Sequence, residues 1–271
     1  MNHIHWPVTA TCPDQYDYST PPTAMDYYLK KTTLLNVTHS RLIDLVERRG
    51  WLNLPKGQQI CEIFDYVKNE IFFGYNKVCN VPASRVLFDG YGCGNSKSIL
   101  LMALLRICHI PCRFHVVKID KSLHKNAFPT MAYYLVPRSI IYSWVDIFLD
   151  CKWLKLTGYT FDQPYLRGLG KFIKNVDDVF FEGTNAMFNN KPSAVTSLNT
   201  ATYERIQGIH HDNRIFDSPD DFYQRHYADL YSVRGWLFKH LARNQTNNKL
   251  SHIRQNNGRK QGDLNVSRVD H

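Results

Sequence analysis

The chain has 271 residues, 44% of them apolar, 13% aromatic and 21% charged, and a net charge of +9. This excludes a chain that is disordered throughout, which would be poor in apolar residues, and it suits one globular domain able to bury a sizeable core. No apolar run reaches the roughly 18 residues of a membrane span, since the best, Ile99 to Ile110, contains Arg106 and His109. A soluble protein without membrane contact is therefore expected. Residues 1–21 have no apolar block after a basic start, so no secretory signal is expected either.

Ser40 to Arg49 is predicted as a short helix, capped by Ser40, with Leu42, Ile43, Leu45 and Val46 on its apolar side. Ile60, Ile63, Phe64, Val67 and Ile71 recur at 3.6-residue spacing and predict a second helix, ended by Gly74. Beyond Pro82 and the cluster Gly90, Gly92 and Gly94, the segment from Ser96 to about His109 is apolar almost all round. It predicts a central buried helix. After Pro111 the period changes to two: Arg113 to Ile119, Ile140 to Leu149 and Lys152 to Leu156 read as strands, the last two as a hairpin broken at Asp150-Cys151. Phe172 to Ser218 shows no clear period. Ser218-Pro219-Asp220-Asp221 then starts a helix with cap, proline and acids in order, ahead of Phe222, Leu230, Trp236 and Leu237.

The charge is unevenly placed. Residues 243–271 hold six Lys/Arg against two Asp, which puts +4 in a polar tail rich in Asn and Gln and leaves +5 for the body. The tail is read as flexible, and a nucleic-acid role, with no accompanying recognition motif, is the weaker alternative. Seven cysteines (Cys12, Cys61, Cys79, Cys93, Cys108, Cys112 and Cys151) are odd in number and irregular in spacing. Reduced thiols in a cytoplasmic setting are expected. Cys108-His109-Ile110-Pro111-Cys112 lacks a second ligand pair and His210-His211 reads as a polar loop, so no metal or cofactor is expected.

A helix that starts at a glycine turn and is followed by a sheet can activate a cysteine, because its free N–H groups and dipole stabilise a thiolate. Gly90-Tyr91-Gly92-Cys93-Gly94-Asn95-Ser96-Lys97 opens such a helix here. It runs on through Leu100-Leu101-Met102-Ala103-Leu104-Leu105-Arg106 to Ile110-Pro111-Cys112-Arg113-Phe114. Pro137 to Ile147 and Trp153-Leu154-Lys155-Leu156-Thr157-Gly158-Tyr159 follow. In these segments the sequence resembles the transglutaminase-like superfamily of papain-type cysteine enzymes, especially its prokaryotic-style branch.

The resemblance implies an α+β fold with the central buried helix packed on an antiparallel sheet and extra helices at both ends. It implies one transglutaminase-like domain over residues 1–242, with a core of about 60–165, followed by the tail 243–271. It also places the family's three catalytic positions: the cysteine, twelve residues before Arg106, falls on Gly94; the histidine, two before Trp144, on Tyr142; and the acid, after the second tryptophan segment, on Thr157. Glycine offers no nucleophile, a phenol with a pKa near ~10 is a poor base, and threonine carries no charge to orient one. Loss of such groups costs factors on the order of 10⁴ to 10⁶ in rate. The resemblance thus points to an inactive pseudoenzyme that binds a peptide or protein ligand in a remnant cleft, with Asn95, Lys97 and Trp144 as cleft residues. The alternative is an active hydrolase or acyl transferase using Cys93 as a relocated nucleophile, with His115 or His124 as the nearest bases in sequence. Oligomeric state is open.

Overall fold

The structure, a computed structural model, describes residues 25–120, 133–134, 139–170, 209–226 and 242–255. A 3-10 turn, Asp26–Leu29, precedes α1, Ser40–Arg48. The cap of α1 is His39, whose ring accepts from the Arg41 N–H, rather than Ser40; both are polar, and the chain turns one residue earlier. α2, Lys56–Asn69, carries the expected stripe on Ile60, Ile63, Phe64 and Val67. It ends well before Gly74. Ile71 is buried but lies outside the helix, next to β1, Phe72–Phe73, because apolar spacing alone does not separate a last helical turn from β-forming aromatics.

Beyond Pro82 comes α3, Ala83–Asp89, closed by Gly90 at φ +68, a left-handed position suited to glycine. β2, Tyr91–Gly92, pairs in parallel with β1 and delivers the chain into α4, Gly94–Ile107. α4 begins two residues earlier than the apolar pattern indicated, since Gly94 and Asn95 add no apolar group yet lie in the helix. Every residue from Gly94 to Arg106 is buried. Burial of each of Leu100, Leu101, Leu104 and Leu105, all fully enclosed, contributes roughly 1.5–3 kcal/mol.

Against α4 lies a four-stranded antiparallel sheet in the order β5-β4-β3-β6, made of β3, Cys112–Asp120; β4, Ser139–Leu149; β5, Lys152–Leu156; and β6, Ile209–Phe216. This is the expected α+β arrangement of a buried central helix on an antiparallel sheet, with helices before and after it. Phe114, Val116, Val145, Ile147 and Leu156 face the helix. The hairpin turns at Asp150 and Cys151, with φ of +48 and +59, as a two-residue turn with both residues left-handed requires. The helices that complete the order are α5, Gln163–Gly170; α6, Pro219–Arg225; and α7, Arg243–Gln255. Ser218 caps α6 as anticipated, accepting from the Asp221 N–H.

Arg106 ties the layers together. Its buried guanidinium donates to the Lys30, Cys112 and Asp217 carbonyls, joining three segments at the electronegative end of α4.

Two expectations are corrected. Residues 243–255 of the presumed flexible tail form a packed helix: Thr246, Leu250 and Ile253 are buried along one face of α7 and Arg254 pairs with buried Asp162. Their i, i+4, i+7 spacing is the signal that the Asn- and Gln-rich composition masked. Cys151, exposed at the hairpin tip, is disulfide-bonded, so the thiols are not all reduced. Among the described residues Cys61, Cys79, Cys93, Cys108 and Cys112 are free. His124, Leu230, Trp236, Leu237 and residues 256–271 lie outside the described residues. No helix among the described residues is long and apolar enough to cross a membrane.

Candidate functional site

The start of α4 is held by β2 on one side and by β4 and the segment after β5 on the other. Gly92 has no room for a side chain, since a Cβ there would lie 2.7 Å from Ser96 Oγ. Cys93, the N-cap, has extended backbone and is half-buried. Its sulfur accepts from Ser96 Oγ at 3.5 Å. The Cys79 side chain and the N–H groups of Ser96 and Asn95 also act on its charge. Led by the Cys79 hydrogen bond, and against the opposing effect of burial, these donors lower the Cys93 pKa to about 6, while Cys79, which must keep its proton, is pushed up. Ser96 is itself fixed, donating to Asn76 Oδ1 at 2.7 Å, and Asn76 in turn donates to Asp89 and to the Tyr91 carbonyl.

Gly94 lies close to Tyr142 and Thr160. A Cβ built on it would stand 3.8 Å from Tyr142 Cε2 and 3.2 Å from Thr160 Oγ1. Tyr142 therefore faces the Gly94 position across the helix start. Thr157 is half-buried one residue past β5, but the hydroxyl that reaches Gly94 from that segment belongs to Thr160.

The three expected cleft residues are part of the scaffold. Asn95 donates to the Ile141 carbonyl at 3.3 Å and accepts from Ser143 Oγ at 2.9 Å. Ser98 continues this buried set, donating to the Gly94 carbonyl and touching Ser143 and Tyr159 hydroxyls at 2.9 and 2.6 Å. Lys97 is fully enclosed and donates to the Lys68 and Thr160 carbonyls at 3.1 and 3.2 Å. Burial lowers its pKa to about 7, only partly opposed by Asp162. Two acceptors match the two N–H donors of a neutral amine. Trp144 is 1% exposed and donates to Asp146 Oδ1 at 3.0 Å. Facing a ligand is thus corrected to supporting the site, because each polar head is spent inside the protein.

His115, the candidate base, belongs to a different cluster. Its ring stacks on Trp144 at 4.0 Å and Nδ1 bonds Asp146 at 3.2 Å. Asp146 also accepts from Arg113 Nε at 3.1 Å. Burial would raise the Asp146 carboxyl, but His115 and Arg113 outweigh it and hold the group low. In the sheet register Val117 pairs with Tyr142 and His115 with Trp144, which puts His115 roughly 7 Å further along the strand than the level of Tyr142. Among the described residues, none of the groups found around the Cys93 sulfur is an imidazole.

Residues 49–157 match the model of the Transglutaminase-like superfamily. The matched region runs from the end of α1 through β5 and so contains Cys93, Gly94, Tyr142 and Thr157. No curated protein matches the chain. A solved structure of a candidate cysteine protease from Cytophaga hutchinsonii is similar at 13% identity with a TM-score of 0.35, covering 48% of this chain. The match spans 40% of the length of that structure.

Sequence reasoning missed Cys79, Thr160 and Arg254. Cys79 and Thr160 lie in loops that no periodicity marks, so only the fold brings them to the helix start. Arg254 was visible only as one of the tail's charges.

Proposed function

We propose that this chain is a transglutaminase-like domain that has lost thiol-based acyl transfer and holds a peptide or protein segment along the seam between the start of α4 and β4. The observation that carries this reading is at Gly94: where the family's nucleophile would project, the neighbours are the Tyr142 ring and the Thr160 hydroxyl. A phenol with an ordinary pKa near ~10 is protonated at neutral pH and accepts a proton poorly. Half-buried Cys93 and Tyr142 leave a thiol and a phenol at this seam for ligand contact. The test incubates reduced protein with a glutamine-containing peptide and an amine donor, and separately with amide substrates. No ammonia release, amine incorporation or thioester is expected. Turnover that disappears in Cys93→Ala overturns the proposal.

A second reading has a specific observation in its favour. The Cys93 pKa is lowered to about 6, the direction that an enzyme with a relocated nucleophile would need. Because thiolate forms above the pKa, iodoacetamide should label Cys93 with a rate that rises through about pH 6. Cys61, Cys108 and Cys112, pushed up by burial, should lag at pH 7. Labelling measured by peptide mass spectrometry checks the thiolate; the turnover assay decides between the readings.

A nucleic-acid role loses support because two of its basic groups are engaged within the protein. Arg243 donates to the Tyr75 carbonyl and the Tyr91 hydroxyl, and Arg254 to Asp162. The five free thiols favour a cytoplasmic setting for the proposed binding domain, against one disulfide at Cys151.

A further inference from the structure

β1 has a strand on one side only. Phe72 and Gly74 donate their N–H groups to the Gly90 and Gly92 carbonyls, on the side of β2. The alternate residues, Phe73 and Tyr75, therefore turn their backbone groups to the opposite edge. Among the described residues no strand lies there. Side chains occupy the edge instead. The Phe73 N–H donates to Asp162 Oδ2 at 2.7 Å, and the Phe73 carbonyl accepts from Arg254 Nη2. The Tyr75 N–H donates to Asn247 Oδ1 at 2.8 Å, and the Tyr75 carbonyl accepts from Asn247 Nδ2 at 3.1 Å and Arg243 Nη1 at 3.5 Å. The Asn247 carboxamide thus gives Tyr75 the acceptor and the donor that the peptide groups of a neighbouring strand would supply. Arg243, Asn247 and Arg254 recur at i, i+4 and i+11 along one stripe of α7, which meets Tyr75 with its first half and Phe73 with its last turn.

The strip beneath these side chains is prone to pair. Ile71-Phe72-Phe73-Gly74-Tyr75-Asn76 is uncharged, free of proline and rich in β-forming aromatics, the composition of segments that stack strand on strand. Phe72 is 45% exposed beside it. An open edge on such a segment is a template for another chain, and folded sheets block theirs. We propose that α7 is a surrogate strand, and that withdrawing its polar side chains turns the outward edge of β1 into a pairing surface for a second copy of this chain. A second copy fits because the edge offers backbone groups and aromatics with no charge to select another partner, and the same segment of another copy supplies the matching groups in antiparallel register. This holds whether or not the seam beside α4 takes a ligand.

The experiment compares the full wild-type chain with Asn247→Ala by sedimentation velocity over a range of concentrations and by amide hydrogen exchange. Arg254 and Asp162 are left in place, so α7 stays docked. The wild type should keep one mass and a slowly exchanging Tyr75 amide. In dilute Asn247→Ala the Tyr75 amide should exchange on the order of tenfold faster while Gly74 is unchanged. As concentration rises, a larger species should form and protection of Tyr75 should return. Adding Phe72→Glu puts a charge on the edge and should abolish that species. Should Asn247→Ala lose its near-ultraviolet circular dichroism, Asn247→Asp is read the same way, since it keeps the acceptor for the Tyr75 N–H and removes the donor to its carbonyl. The proposal fails if the folded variant keeps the wild-type mass at every concentration, or if the larger species survives Phe72→Glu.

Discussion

Arg254→Ala should lower the free energy of unfolding by about 3–5 kcal/mol, read from urea denaturation at pH 7. Asp162 has no exposed surface, and its oxygens accept from Arg254 Nε at 3.0 and 3.2 Å, from its Nη2 at 2.7 Å, and from the N–H groups of Phe73 and Tyr165. The same guanidinium also donates to the Phe73 carbonyl. Removing it strands a carboxylate in the interior, whereas an arginine on the surface would be worth at most about 1 kcal/mol. Burial alone would raise the Asp162 carboxyl, but Arg254 and the two N–H groups win and hold it below the usual range. Its contribution to stability is therefore present above the unfolded pKa, near ~3.9, and is lost as pH falls through the lower folded value. The gap between wild type and variant should narrow below about pH 4. A loss under about 1 kcal/mol at pH 7 would remove α7 from the folded core.

Gly168→Ala should destabilise the chain by about 2–3 kcal/mol, although alanine in an ordinary helix position is favoured over glycine by about 1 kcal/mol. A Cβ at this position of α5 would lie 2.1 Å from the Ile253 carbonyl oxygen and 2.8 Å from its carbon, both backbone atoms of α7. No rotamer change relieves that. The helices must separate, which also pulls Arg254 from Asp162. Thermal unfolding is the check, and an unchanged or raised melting temperature would refute the close approach.

The hairpin and the central helix were legible for different reasons. Ile140 to Leu149 and Lys152 to Leu156 alternate cleanly because one face of the sheet packs on α4, and period two survives even with Trp144 and Asp146 buried on the other face. α4 was legible because it is apolar all round, but for the same reason its start was not, since Gly94 and Asn95 enter the helix without an apolar signature. At the candidate site, motif counting singled out Gly94 and Tyr142, and a Cβ on Gly94 would stand 3.8 Å from the Tyr142 ring. It could not find Thr160 or Cys79, which no pattern constrains. It also misjudged Asn95, Lys97 and Trp144, since polar groups beside a helix start read equally well as ligand contacts or as internal ties. Only their partners decide.

The Asp162–Arg254 pair spans 92 positions of the chain, and this has a consequence for biosynthesis. While the polypeptide is being made, everything up to β6 emerges with an acidic group destined for the interior and no cation to meet it. The region around β1 and α5 therefore reaches its final stability only after residue 254 has cleared the ribosome, so a nascent chain stalled earlier would expose that acid to solvent and to quality-control proteases.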